Sequence, residues 1–178
     1  MIRLFAAIHV PEVVAADLVR LQTGLEGARW RPVEAFHITL RFFGDIAEDV
    51  ADEVDQALAG VGGKSFELAL KGVGAFGAGH RVDAIWAGVD ESEPLRRLAA
   101  RCETAARRIG LKPETRNYAP HVTLAYLKGA DPADVGAWIA GHNLIRTEPF
   151  RVQTFGLYSS WSGKGGSSYR LEQAYTLV

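Results

Sequence analysis

An α+β fold with segregated antiparallel sheets is predicted by three observations. Apolar runs of strand composition come in neighbouring pairs, helical spacings fill the segments between them, and no low-complexity linker divides the chain. Strict β-α-β alternation, which would indicate a doubly wound sheet, is absent. The first strand is the apolar run Arg3 to Val10; Pro11 then opens a helix carrying Val13, Val14, Leu18, Leu21 and Leu25 at helical spacing. Ala35 to Phe43 is aromatic and β-favouring, Gly44-Asp45 ends it, and Val50, Val54 and Leu58 mark a second helix. Ser65 to Phe76 and Arg81 to Val89 read as antiparallel strands joined by a turn around Gly77 and Gly79. Leu95, Leu98, Ala99, Cys102, Ala106 and Ile109 trace the clearest helix face, stopped by Gly110 and Pro113. His121 to Leu127 is a strand and Pro132 to Ala140 a short helix. Phe150 to Tyr158 and Tyr169 to Leu177 are closing strands around a Gly/Ser loop.

Length and composition bound the function. A chain of 178 residues, 48% hydrophobic and 23% charged, buries a sizeable core, and residues 1–178 are expected to form a single unit of two lobes. Twenty basic against 21 acidic residues leave a net charge of -1, which argues against a protein that coats nucleic acid by broad phosphate neutralisation. Any RNA contact is therefore expected to be local. The single Cys102 cannot form an internal disulfide and lies on a helical apolar face, where it reads as a small core residue. No apolar run suits a membrane span, and the start MIRLFAAIHVPE lacks the basic, apolar and cleavage regions of a secretory leader. A monomer in the cytoplasm is the expectation.

One degenerate repeat stands out. His37-Ile38-Thr39-Leu40 and His121-Val122-Thr123-Leu124 share three identities and one β-branched exchange, each in a predicted strand. Random placement of 5 His and 8 Thr would leave fewer than one His with Thr two positions on, yet both occurrences here are also followed by Leu. In a strand, residues i and i+2 face the same side, so each motif sets an imidazole beside a hydroxyl while its aliphatic residues anchor the other face. Across a cleft, two such strands offer two imidazoles for proton transfer and two hydroxyls for phosphoryl oxygens. A ring-opening phosphodiesterase needs that inventory: a base to activate water and, roughly in line, an acid for the departing ribose oxygen. Histidine, with an unperturbed pKa of about 6.5, serves either role near neutral pH. The bland reading is two half-buried strands with locally satisfied histidines; it suits either motif alone better than the pair. No His-x-His, His-Glu-x-x-His or Cys pair points to a metal, so neither metal nor cofactor is expected.

These residues resemble the 2H phosphoesterase superfamily, in its branch of bacterial RNA 2',3'-cyclic phosphodiesterases, also called 2'-5' RNA ligases. The likeness runs from Arg3-Leu4-Phe5-Ala6-Ala7-Ile8 and Pro11 through Trp30 and His37 to Gly44. It continues over Pro120 to Ala125 and a tail with Ser159, Gly166 and Tyr169. The resemblance implies two pseudo-twofold-related lobes, each an antiparallel sheet with helices outside, around a central cleft holding both motifs. It implies His37 as proton donor to the leaving ribose oxygen and His121 as the acceptor that activates water, with Thr39 and Thr123 on the phosphate. The residues themselves do not separate the two histidines. The implied substrates are RNA ends bearing a 2',3'-cyclic phosphate, tRNA fragments among them, or nucleotides of that kind.

Many members carry Arg where this chain has Tyr126, and an aromatic ring cannot neutralise phosphate as Arg does. Strict alternation places Arg41 on the His37 face, either as the substitute charge or as a solvated strand-end cation. It places Phe43 there too, to stack on a base or to pack in the core. Tyr126 is kept as a substrate-contacting position. His9, His80 and His142 read as surface or structural, and the segment Ser159 to Ser168 either closes over substrate or is a hairpin tip. Two rivals stand beside the RNA-end hydrolase with reversible 2'-5' ligation. One is a related phosphoesterase for a small cyclic nucleotide or a 2'-5' oligonucleotide; the other is a module that binds RNA ends without turnover.

Overall fold

A computed structural model describes residues 1–178. The strands are β1 (Ile2–His9), β2 (Ala28–Trp30), β3 (His37–Ile46), β4 (Phe66–Leu68), β5 (Leu70–Ala78), β6 (Arg81–Val89), β7 (His121–Leu127), β8 (Phe150–Val152), β9 (Thr154–Gly163) and β10 (Gly166–Thr176). The helices are α1 (Glu12–Val19), α2 (Glu48–Ala59), α3 (Glu93–Arg108) and α4 (Pro132–His142). Two four-stranded antiparallel sheets, ordered β10-β9-β1-β3 and β2-β7-β6-β5, carry the molecule; β4 and β8 form a small third one. The fold is α+β, as the sequence predicts.

Helices α2 and α3 pack with the first sheet and α4 with the second. Helix α3 follows its sequence signals closely. Ser92 caps it by accepting from the Leu95 N–H at 3.3 Å, Leu95, Leu98, Ala99, Cys102 and Ala106 are buried, and Gly110 leaves it at φ 86. Burial pushes the Cys102 thiol up to about 12, so it stays a neutral core group.

Ile38, Leu40, Val122 and Leu124, the aliphatic residues of both motifs, are buried in one contiguous core of 37 residues that spans the two sheets. Fully burying such side chains contributes about 2 kcal/mol each. The hydroxyl of Tyr118, just before β7, donates to the Thr39 carbonyl of β3 at 2.9 Å, tying one motif strand to the entry of the other.

The expected strands Ser65 to Phe76 and Phe150 to Tyr158 each divide in two, giving β4 and β8 to the small sheet and β5 and β9 to the large ones, and three further elements differ from expectation. Helix α1 stops at Val19 instead of running to Leu25, because Gln22 and Thr23 are used elsewhere. The Gln22 amide donates to the carbonyls of Arg31 and Leu124, and the Thr23 carbonyl accepts the Trp138 indole N–H. The short strand β2 that follows has no sequence signal of its own and is held on the β7 edge. The expected loop from Ser159 to Ser168 is mostly strand, since β9 and β10 pair through to Gly163 and Gly166. Buried Ser159 staples that hairpin, accepting from the Trp161 indole at 2.8 Å and bonding Glu172.

Candidate active site

Each motif histidine begins its strand and is fixed in the same way. His37 Nδ1 lies 2.8 Å from the Ala35 carbonyl and His121 Nδ1 2.7 Å from that of Ala119. A carbonyl only accepts, so Nδ1 carries the hydrogen in both rings and Nε2 is left as the nitrogen able to take or, once protonated, to give a proton. Phe5 and Tyr169 pack on the His37 ring with centroids 4.9 and 5.0 Å away. Phe76, at 4.8 Å, and Trp86, at 6.1 Å, hold His121. Gly74 makes room for this: it pairs with Trp86 across β5 and β6, and a Cβ there would lie 2.4 Å from the indole. The Trp86 indole N–H is buried without a partner.

Burial holds His37 down to about 4, against the pull of its carbonyl hydrogen bond and helped by His121, Arg31 and His9. Burial likewise lowers His121. Both imidazoles are therefore neutral in the free protein at neutral pH. The unfolded chain binds a proton at His37 below about pH 6.5, while the folded chain resists it until about pH 4. Stability should accordingly fall across that window, by about 3 kcal/mol from this one group. Urea unfolding at pH 7.5 and 4.5 checks it: His37→Gln should show a shallower loss than the parent, and equal losses would contradict the buried neutral imidazole.

Thr39 and Thr123 share the faces of their histidines, opposite Ala7 and Trp86 respectively. Beyond them alternation breaks. A bulge sits at Leu40, between the pairs Ala7↔Thr39 and Ala6↔Arg41, and another at Leu124, between Trp86↔Thr123 and Ile85↔Ala125. The extra residue turns Arg41 and Ala125 to the core and puts Phe42 and Tyr126 on the histidine faces.

Two expectations are thereby corrected. Arg41 is not on the His37 face. It is buried, ion-paired with Glu103 of α3, and donates to the carbonyls of Phe42 and, at 2.7 Å, Lys112. Phe43, left out of the pairing by a second irregularity of β3, packs against the core with the Arg41 guanidinium 5.7 Å from its ring. Phe42 is the exposed aromatic of that face, with Arg3 5.0 Å from its ring. Tyr126 does lie on the His121 side, half-exposed.

Sequence reasoning missed Arg31, which follows β2 and is only 7% exposed. Its guanidinium carbon lies 5.4 Å from the Tyr126 ring and 5.7 Å from that of Tyr169. Its neighbour in the sequence, Trp30, was legible, but nothing near Arg31 shows that it reaches between the two sheets. His9 pairs with His37 at the end of β1, and His142 bonds the Trp138 carbonyl at 2.7 Å; neither joins the motifs' hydroxyls. No group of three or more His, Cys, Asp or Glu side chains suited to a metal ion gathers in the molecule, and no helix is long and apolar enough to cross a membrane. A cavity of about 630 Å³ beside α3, lined by Gly63, Arg97, Arg101 and Leu177 among others, contains neither motif.

An α+β protein whose two antiparallel sheets each start a strand with His-x-Thr, both imidazoles locked through Nδ1, is thus defined by fold and site together. The chain belongs to the 2'-5' RNA ligase superfamily, which residues 10–163 match. It is 42% identical to the RNA 2',3'-cyclic phosphodiesterase of Aeropyrum pernix over 98 residues, 54% of this chain and 56% of that one. It is 28% identical to the protein of the same name from Methanothermobacter thermautotrophicus over 183 residues, 99% of each chain. The crystal structure of E. coli LigT complexed with 3'-AMP shares the fold, with a TM-score of 0.80 at 23% identity over 99% of this chain and 98% of that one.

Proposed function

We propose that this protein hydrolyses the 2',3'-cyclic phosphate at RNA ends to a 2'-phosphate without a metal ion. The two identically locked imidazoles, each with a threonine two residues on, carry this reading. The names of the relatives support it. A water oxygen bonds to phosphorus as its proton passes to His121 Nε2, the bond from phosphorus to the ribose 3'-oxygen breaks, and that oxygen takes a proton from His37 Nε2. The sum is addition of one water. Thr39 and Thr123 donate to the non-bridging oxygens. Run in the same direction with the 5'-hydroxyl of a second RNA in place of water, the same groups join 2'-5' ends.

The test is incubation with EDTA and an RNA bearing a terminal 2',3'-cyclic phosphate, followed by identification of the terminal group. A 2'-phosphate formed at an undiminished rate is the expected result. Activity abolished by chelation and restored by zinc or manganese would overturn the acid-base reading.

A further inference from the structure

We infer that Arg31 is the cation that binds the phosphate in this protein, delivered from the edge of β2 instead of from β7; the inference rests on the proposed phosphodiesterase reading. A guanidinium as buried as this one ordinarily has a carboxylate partner, because an uncompensated charge in a low-dielectric setting is costly. None of the nine ion pairs in the structure includes Arg31. Its protein hydrogen bonds all leave from Nη2, to the Ser167 carbonyl at 2.8 Å and, at 3.5 Å, the Tyr169 hydroxyl. Nη1 and Nε have no protein acceptor. The only fully enclosed unpartnered side-chain donor is the Trp86 indole, so both of those nitrogens keep access to solvent.

The surroundings bring the guanidinium near His37 and to the His121 face of β7. Tyr169 touches the Arg31 guanidinium on one side and the His37 ring on the other, and Tyr126, on the His121 face of β7, supplies the second aromatic wall. Arg31 is near enough to disfavour a proton on His37, an effect that a bound anion reverses. Gly166, whose Cβ would lie 3.2 Å from Nη1, leaves the fork free of a hairpin side chain. A planar cation with open donors on Nη1 and Nε suits non-bridging phosphoryl oxygens, which gain charge as the cyclic monoanion becomes a monoester. Tyr126 then needs no charge of its own: its ring packs on the guanidinium and fixes the fork.

Arg31→Met separates this role from a structural one. Removing a buried, unpaired charge should leave the thermal midpoint in phosphate-free buffer unchanged or raised, whereas removing a latch would lower it. The stabilisation given by inorganic phosphate should be lost, and kcat/KM for the cyclic phosphate should drop by about 100-fold. Arg31→Met with phosphate affinity and kcat/KM both within threefold of the parent overturns the inference. Should that variant fail to fold, Arg31→Lys, which keeps the charge without the fork, is measured instead, and unchanged values there overturn it equally. The two readings fail apart: a parent that binds phosphate through Arg31 without turning over the cyclic substrate sinks the hydrolase alone. A parent that turns over with no dependence on Arg31 sinks this inference alone.

Discussion

Replacing His37 or His121 by alanine is expected to remove most of the rate acceleration, about 10²- to 10⁴-fold each, with the double variant barely worse than either. In the proposed reaction the two imidazoles act on one displacement, so losing the base strands the water proton and losing the acid strands the ribose alkoxide. Since burial keeps both rings neutral in the free protein at pH 7, the acid's proton should arrive with the phosphate anion, whose charge favours the imidazolium. The rate should be bell-shaped in pH. An aryl leaving group, which hardly needs protonation, should rescue His37→Ala far more than His121→Ala; the opposite result would exchange the two roles. Thr39→Ala and Thr123→Ala should be milder, about 10-fold each, because each removes one hydrogen bond to a charged group, worth about 1.5 kcal/mol. Threonine variants as inactive as the histidine variants would show that the hydroxyls do more than hold oxygens.

The sequence makes the motif faces legible as far as the threonines and misleads one residue later. Strict alternation puts Arg41 and Phe43 beside His37, but the bulge at Leu40 adds a residue, turning Arg41 to the core and Phe42 to the histidine face, before a second irregularity at Phe43. A signal for this was present. Aligning the two halves at their histidines sets Phe42 against Tyr126 and Arg41 against Ala125, and a small apolar Ala fits a core slot and not a phosphate site. Seven strand runs and four helices could be anticipated because periodic apolar faces report burial directly. Strand β2 could not, since three residues have no periodicity and Ala28–Trp30 is a strand only because the β7 edge supplies partners. Arg31 is hidden for the same reason: its place between Tyr126 and Tyr169 depends on chain brought together from the far ends of the sequence.

Arg41→Ala should lower stability by about 3 kcal/mol while leaving turnover per folded molecule near that of the parent at low temperature. The guanidinium joins β3 to α3 through Glu103 and to the following segment through the Lys112 carbonyl, and Glu103 also accepts the Glu114 backbone N–H at 3.1 Å. Removing Arg41 strips a mostly buried carboxylate of its partner and a carbonyl of its donor. Water reaching the Glu103 side chain, which is 24% exposed, keeps the loss toward the lower end of the range for buried pairs, about 3–5 kcal/mol. Arg41→Met with Glu103→Leu should recover much of that loss, because an apolar pair of similar volume needs no desolvation of charge. Urea unfolding and kcat/KM on the same preparations decide the matter. If kcat/KM fell 100-fold in Arg41→Ala with the unfolding midpoint unmoved, Arg41 would belong to the phosphate site after all, and the bulge at Leu40 would not be what separates the two.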